Sequence, residues 1–514
     1  MSNQTTPSAG QLPGYITSAV PNPKANRAPW YKNTAPTYAG IFLWFVFWQD
    51  AVNAPNAGGM LSQGVGWALL SLVMSAVVCH FLFYLVPGLL GMKTGLPLYI
   101  VGTSTFGARG GFLMPGFLMG VLQFGWVGVN VYFSALALAK VIPLPPQVLM
   151  VIWGVLAAFV GLKGIQYVAK VATYLPLIPL AILLMLLAKT AGSIGSFDAP
   201  KLIELHKGLA PQAPAALSTF GVLAFMMTFV VGFFATAGAA GVDFGLNSRD
   251  GNDVKMGGLV GVALAIFVTA GISLLFVAGT FGSQTFSAKA AEGAKVAIVK
   301  AVDKEVASAK EAATKSGKNL TEDEIKKLTD DVTTKTAQGA LFQSPSLIPA
   351  LVGEKLAGIL MFLLAAAAFP SVCFSAFIAA NSFKTTLPKV NPFISVGIGT
   401  TVSIILAITG VVAKAISVFV IIGASFGPIC GAMLVDYLLS GRKWSGPRAG
   451  FNPAGWIAWA AGFVVGILPN LDVNVPAAPV LAFVVGAVVF FLCAKMGMQS
   501  SLVPVSGALA EATK

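Results

Sequence analysis

Hydrophobic residues in this chain come in long runs parted by short polar stretches, so the repeating unit is the thickness of a bilayer and not the turn of an amphipathic helix. A helix needs about 20 apolar residues to cross a membrane. Twelve runs near that length fall at 38–61, 65–90, 112–139, 146–162, 170–189, 217–241, 256–282, 354–380, 391–413, 415–438, 454–470 and 476–495. The pattern predicts an all-α polytopic membrane protein with a tail over 1–37, seven membrane helices over 38–282, an insertion over 283–345, five more helices over 346–495 and a second tail over 496–514.

Two of these runs contain interruptions. Between Met227 and Gly245 an apolar helix meets Gly232, Gly238 and Gly241 and ends on an acid, Asp243. Between Trp48 and Gly59 the first run takes in Gln49, Asp50, Asn53, Pro55 and Gly58. Backbone that leaves the helix at membrane depth must find partners inside the protein, so such a break faces a cavity. Two broken helices at matching places in two halves point to the substrate site of a transporter.

Composition and charge settle the solvent and the orientation. The chain is 56% hydrophobic and 10% charged with mean hydropathy +0.82, against about 25% charge in soluble domains. Lys24, Arg27, Lys32, Lys93, Arg109, Lys163, Lys170, Arg249, Arg442, Lys443 and Arg448 fall in loops on the N-terminal side, against Lys140, Lys189, Lys201, Lys207, Lys355 and Lys414 on the other. The positive-inside rule then puts both termini in the cytoplasm of a multi-pass cell-membrane protein. The formal net charge of +13 is spread over short loops beside the runs, so it reads as orientation and not as a nucleic-acid surface. Cys79, Cys373, Cys430 and Cys493 all lie inside runs, and His80 and His206 are the two histidines. Neither a disulfide framework nor a Cys- or His-based metal site is expected.

Residues 283–345 hold ten Lys and nine acidic residues in a chain otherwise poor in charge. Val296, Val299, Val302 and Val306 predict an amphipathic helix, and Thr321 with Glu324 predicts a capping box opening a second. The island reads as a helical hairpin on the outer face, a surface insertion with a lid as the alternative.

Few ionisable groups remain at membrane depth, and each is a functional candidate because burying it in hydrocarbon is costly. Asp243 and Asp436 sit near the cytoplasmic ends of their runs, as gating acids or as partners of Arg249 and Arg442. Asp50 is read about half a run deep, beside the first interruption, where a carboxylate can take part in ion coupling. In the third run Gln123, Trp126 and Asn130 stand three and four residues apart and so share one helical face. Two amides and an indole suit a flat heteroaromatic ligand, with Phe233 and Phe234 available as the opposing ring. No nucleophile or acid–base pair is positioned for catalysis, so no enzyme is expected.

Four stretches closely resemble the purine-cytosine permease (cytosine permease-like) branch of the nucleobase:cation symporter family. They are Phe106–Gly110 leading to Leu122–Gly128, Val230–Gly238 with Asp243–Phe244, Gly427–Gly431 with Asp436–Tyr437, and Phe451–Ala458. The resemblance implies a five-plus-five inverted repeat of the leucine-transporter type (APC superfamily) plus two extra helices, importing a nucleobase with a cation by alternating access. It implies that Trp126 and Phe234 sandwich the base, with polar contacts from Gln123, Asn130 and Asn53. Where relatives place an Asn in the eighth run this chain offers only Ser371 or Ser375. Sodium-coupled relatives use carbonyls of the first run, here Gln49 and Val52, and hydroxyls of the eighth, here replaced by Ala367, Ala368 or Phe369. The coupling cation is thus Na+ or H+, and no other cofactor is expected. The carrier is expected to work as a monomer in the bilayer. A same-fold transporter of an amino acid, hydantoin or allantoin, or a vitamin-like ring is the alternative.

Overall fold

Long apolar runs leave backbone groups no partner but their own helix, and helices are the named elements of the computed structural model, which describes residues 12–163, 174–316, 318–387 and 389–513. Lys170, the start of the run at 170–189, the first eleven residues of the N-terminal tail and Lys514 lie outside the described residues. The principal helices are α1 (Thr34–Phe42), α2 (Phe45–Asp50), α3 (Val65–Thr94), α4 (Phe112–Leu138), α5 (Pro146–Lys163), α6 (Leu177–Ser196), α7 (Ala199–Leu209), α8 (Thr219–Ala239) and α9 (Gly251–Gly282). They continue as α10 (Gln284–Lys315), α11 (Glu322–Ala340), α12 (Ser344–Val352), α13 (Glu354–Thr386), α14 (Pro392–Ile408), α15 (Ala415–Leu439), α16 (Pro453–Leu471) and α17 (Ala478–Lys495).

Ten of these, α3 to α6, α8, α9, α13 and α15 to α17, are long and apolar enough to cross a membrane. The chain is a multi-pass membrane protein. The two remaining runs of the twelve take other forms: the first is the broken pair α1 and α2, and the ninth is the shorter apolar helix α14.

The break in the first run falls at Leu43 and Trp44, where Trp44 takes an extended conformation (ψ 128°). The expected interruption past Trp48 is also present, since α2 ends at Asp50 and Gly58 and Gly59 have positive φ. It lies beyond the end of α2, and Asp50 is the last residue of that helix. The expected loosening of the sixth run falls late: α8 ends at Ala239 and a short helix, Gly241–Gly245, follows with Asp243 in it, while Gly232 and Gly238 lie inside α8. Those glycines serve close packing. A Cβ at Gly232 would come within 2.7 Å of the Phe419 carbonyl oxygen, and one at Gly238 within 2.8 Å of Phe83 Cβ.

Packing around the centre is between α4 and α13, between α8 and α15, and among α15, α16 and α17. Residues from Leu12 onward strap the N-terminal face. The Tyr15 hydroxyl donates to the Ala108 carbonyl, Arg27 Nη1 donates to the Met92 carbonyl at 2.6 Å and Ala28 N donates to the Asn247 carbonyl at 2.9 Å.

The insertion forms the expected pair of helices, α10 and α11, packed on each other, and Thr321 and Glu324 make the full capping box. The buried stripe of α10 differs from the valine pattern. Ala290, Ala294 and Ile298 are buried, whereas Val296 and Val299 are 43% and 57% exposed. The small alanines let α10 settle on α12, a tertiary contact that side-chain periodicity alone did not favour.

Candidate functional site

α4 is straight and regular past Leu118, so residues at spacings of four, three and four stack on one face: Met119, Gln123, Trp126 and Asn130. That face borders a cavity of about 1560 Å³ between α1, α4, α8 and α13, whose wall also includes Trp44, Phe233, Thr236, Ser371 and Ser375. Tyr31, Lys32, Asp243 and Lys384 also line it, on the side where α1 begins and α13 ends, and Tyr31, Lys32 and Lys384 are exposed.

At its inner end stands an aromatic cluster. Trp126 meets Phe233 edge to face, with 4.8 Å between centroids and 78° between planes, and lies 5.4 Å from Phe419 and 5.9 Å from Trp44. The Trp126 Nε1 proton goes to Thr236 Oγ1 at 3.2 Å, which fixes the indole. Behind Phe233, Phe47 lies at 4.6 Å and itself stacks on Phe229. Trp126 and Phe233 fill each other's facing space, so a flat ring enters between them only after one of the two turns.

Phe234, expected as the sandwiching ring, does not line the cavity. One residue along a helix is a turn of about 100°, which points Phe234 into the packing with Tyr38 and Phe42, each at 5.7 Å. Phe233 takes the cavity position.

The two amides of α4 differ in availability. Asn130 donates to the Ala368 carbonyl at 3.2 Å and accepts from Ser134 Oγ at 3.2 Å and Trp153 Nε1 at 3.4 Å. It ties α4 to α13 and α5, with both ends of its amide engaged. Gln123 donates only to the Met119 thioether, at 3.5 Å, a weak acceptor. Its amide is the one placed to exchange partners with a ligand. Ser371 and Ser375 face it from α13, beside Ala367, Ala368 and Pro370.

The first-run candidates stand elsewhere. Gln49, Asp50, Val52 and Asn53 are not among the cavity walls. Gln49 Oε1 accepts from Ser344 N at 3.0 Å, and Asn53 lies 3.5 Å from where a Cβ of Gly339 would be. Both thus meet the root of the hairpin and not the cavity. The Val52 carbonyl accepts from Met60 N at 3.0 Å and the Gln49 carbonyl from Val52 N at 3.4 Å, each leaving a second lone pair. Part-buried Asp50 has Gln49 Nε2 at 3.4 Å. The physical reason is the position of the break: with the hinge at Trp44, everything past Asp50 lies outside the helix pair that borders the cavity.

The two other acids do not pair with the arginines nearest in sequence. Asp243 Oδ1 accepts from Leu98 N at 3.0 Å, while Arg249 pairs with Asp253 at 2.7 Å. Asp436 accepts from Ser104 Oγ at 2.7 Å and Thr105 Oγ1 at 3.0 Å and has Arg448, not Arg442, at 3.7 Å. Asp436 is a buried tie between helices. Asp243 is among the residues that line the cavity.

Sequence reasoning missed Trp44 and Thr236. Thr236 carried a signal, being three residues after Phe233 and so on its face. Trp44 carried none, because Ile41–Phe45 contains neither Gly nor Pro.

Residues 21–308 match the permease family for cytosine/purines, uracil, thiamine and allantoin. The cytosine permease of Escherichia coli (strain K12) is 29% identical over 232 residues, which is 44% of this chain and 50% of that protein. The same values hold for the cytosine permease of Escherichia coli O157:H7. The chain therefore matches about half the length of these curated relatives. Among solved structures, Mhp1, a nucleobase-cation-symport-1 family transporter in a closed conformation with bromovinylhydantoin bound, aligns with TM-score 0.55 at 14% identity over 96% of this chain and 98% of its own. An inward-facing conformation of Mhp1 gives 0.55 at 13% identity, covering 95% and 99%. A Na+-coupled sialic acid symporter gives 0.51 at 11% identity, covering 93% and 92%. At such identities the likeness shows the fold alone, the helical inverted-repeat architecture of these transporters.

Proposed function

The chain belongs to the permease family for cytosine/purines, uracil, thiamine and allantoin, and from that premise we propose that it imports a nucleobase or related planar heterocycle by cation symport with alternating access. One observation carries this reading: a large cavity is lined together by Gln123, Trp126, Phe233 and the serines of α13. The indole offers a face for stacking, Gln123 offers a donor and an acceptor to one ring edge, and Ser371 and Ser375 offer hydroxyls to another.

Lys32 and Lys384 flank the mouth, which supports a cytoplasmic opening under the positive-inside rule and hence an inward-open state with both termini in the cytoplasm. In this reading the aromatic cluster of Trp44, Phe47, Trp126, Phe229 and Phe233 closes the outer path. A nucleobase arriving from outside turns Phe233 away from Trp126 and takes its place on the indole. The coupling cation is Na+ or H+. For a proton, part-buried Asp50 at the end of α2 is the candidate group. A monomer contains the whole cavity.

Radiolabelled uptake with competition by cytosine, uracil, adenine, hypoxanthine, thiamine, hydantoin and allantoin, with and without sodium and proton gradients, tests the reading. We expect at least one planar heterocycle to be accumulated. Competition by amino acids with none by heterocycles would sink it in favour of a same-fold carrier of another solute.

A further inference from the structure

α3 and α9 each contain one π-helical turn, Cys79–Tyr84 and Leu259–Leu264, and the two turns touch. Such turns concentrate at functional sites because they displace a side chain from the regular helical register. His80 lies in the first of them, near the middle of α3, and is 4% exposed. Its ring stacks on Tyr84 at 6.1 Å and lies so close to α9 that a Cβ at Gly258 would come within 2.6 Å of Nδ1. Nδ1 is buried against the Gly258 backbone, with no fully formed hydrogen bond among the described residues.

Between this ring and the cavity wall stand two more polar side chains. Thr34 Oγ1 lies beside the Tyr84 hydroxyl, and Asn33, the residue before it, has a buried Nδ2 without a hydrogen-bond partner among the described residues. Asn33 borders the mouth of the cavity. The Tyr84 hydroxyl is held at 3.2 Å from the Val254 carbonyl. A buried polar atom left unpaired is costly, and water is held where such atoms can be satisfied by it.

We propose that His80 is a protonation site of the transport cycle, reached from the cavity along Asn33, Thr34 and Tyr84. The proposal rests on the proton-coupled form of the symport reading above. Histidine is the side chain whose charge changes nearest neutrality, and an ionisable group at this depth is costly unless used. Around it stand Cys79 and Tyr84 on α3, with Cys79 Sγ near the Val230 carbonyl of α8. From α1, Tyr38 meets Tyr84 edge to face at 5.2 Å, and Asp243 beyond α8 and Cys430 of α15 lie within electrostatic reach of Tyr38. From α9 comes Asp253, neutralised by Arg249 and capping Trp30 N. Among the described residues no carboxylate lies within ion-pair distance of the His80 ring. A proton on His80 is therefore a cation without a counter-ion, held only while water fills the path. Opening of the mouth and proton binding become one event.

With two histidines in the chain, nitrogen-15 histidine NMR of the full-length protein in lipid vesicles separates His80 from His206, the His80→Gln protein giving the assignment. The expected result is that His80 passes from neutral to charged on acidification and that saturating cytosine, or whichever heterocycle the uptake panel selects, moves the midpoint. In vesicles His80→Gln is expected to keep substrate exchange and to show loss of accumulation driven by a pH gradient. A His80 that stays neutral over the whole range, or a His80→Gln protein that accumulates substrate as the wild type does, overturns the proposal. Wild-type protein that carries no heterocycle overturns the transport reading instead, while the titration of the wild-type ring still decides the protonation. Should His80→Gln fail to insert, that same titration, with Thr34→Val as the variant that cuts the path, carries the test.

Discussion

α4 and the broken first segment both supplied candidate residues, and the structure treats them in opposite ways. On α4, Gln123, Trp126 and Asn130 reach one wall together because an unbroken helix converts sequence spacing into direction. In the first segment the hinge at Trp44 resets that relation, so Gln49 and Asn53 come to rest by the hairpin root, Asp50 and Val52 stay off the cavity wall, and Trp44 itself reaches the cavity. Spacing is evidence of a shared site only while the helix stays regular.

The largest effect that can break this comparison is on folding, at the pair Phe233 and Phe234. Both are buried, but Phe234 packs only on core rings while Phe233 faces the cavity. Phe234→Ala should lower thermal stability by about 3–5 kcal/mol, the usual cost of emptying a buried aromatic site, and leave substrate affinity of the folded fraction near wild type. Phe233→Ala should change which heterocycles compete in uptake. If Phe234→Ala alters the competition profile and Phe233→Ala does not, the assignment of the two rings is reversed.

Next in size is binding. Stacking of a base on an aromatic side chain is worth about 1–3 kcal/mol, so Trp126→Ala should weaken heterocycle binding to purified protein about tenfold or more. Asn53→Ala, by contrast, should leave it unchanged, since that side chain meets Gly339 and not the cavity. Equal losses in the two variants, measured by scintillation proximity, would show that the first segment reaches the ligand in another state.

These contrasts show which parts of the molecule were legible in the sequence. Membrane runs, the α4 stripe and the capping box of α11 were readable because each is decided within a few residues. The hinge was not: nothing in Ile41–Phe45 disfavours a helix locally, and Trp44 turns where its ring meets Trp126 and Phe233. Glycines 232 and 238 were read as loosening a helix when they admit neighbours against it, two uses that look alike in one sequence. The partners of Asp243 and Asp436 were misjudged for a related reason. Leu98, Ser104 and Thr105 are far away in sequence and the nearer arginines are occupied or elsewhere.

Asn130 offers a smaller test. It was expected to touch the substrate, yet its amide is spent on Ala368, Ser134 and Trp153. Hydrogen bonds between membrane helices average about 0.6 kcal/mol. Asn130→Ala should therefore lower the melting temperature modestly, with affinity changing less than it does in Gln123→Ala when both are measured on folded protein. A larger loss of affinity in Asn130→Ala than in Gln123→Ala would return Asn130 to the binding site.

The smallest expected effect lies outside the membrane, at the start of α11, where local chemistry was read correctly. Thr321 N donates to Glu324 Oε2 at 2.9 Å and Glu324 N donates to Thr321 Oγ1 at 3.3 Å. The hydrogen bonds that the Glu324 carboxylate accepts from the Thr321 backbone and hydroxyl hold its pKa below the ordinary glutamate range. A carboxylate depressed in the folded state contributes stability that is complete above its unfolded pKa and is lost as the pH falls through its folded one. Protection of the first turn of α11 in hydrogen exchange, after correction for intrinsic rates, should thus be flat near neutrality and fall on acidification below the ordinary glutamate range. Glu324→Gln should keep much of the cap, since an amide oxygen can still accept from the Thr321 backbone, but should lose the acid-dependent part. If the variant shows the same fall as the wild type, the pH response comes from elsewhere in the hairpin, with the Glu311–Lys315 pair at the end of α10 the next place to look.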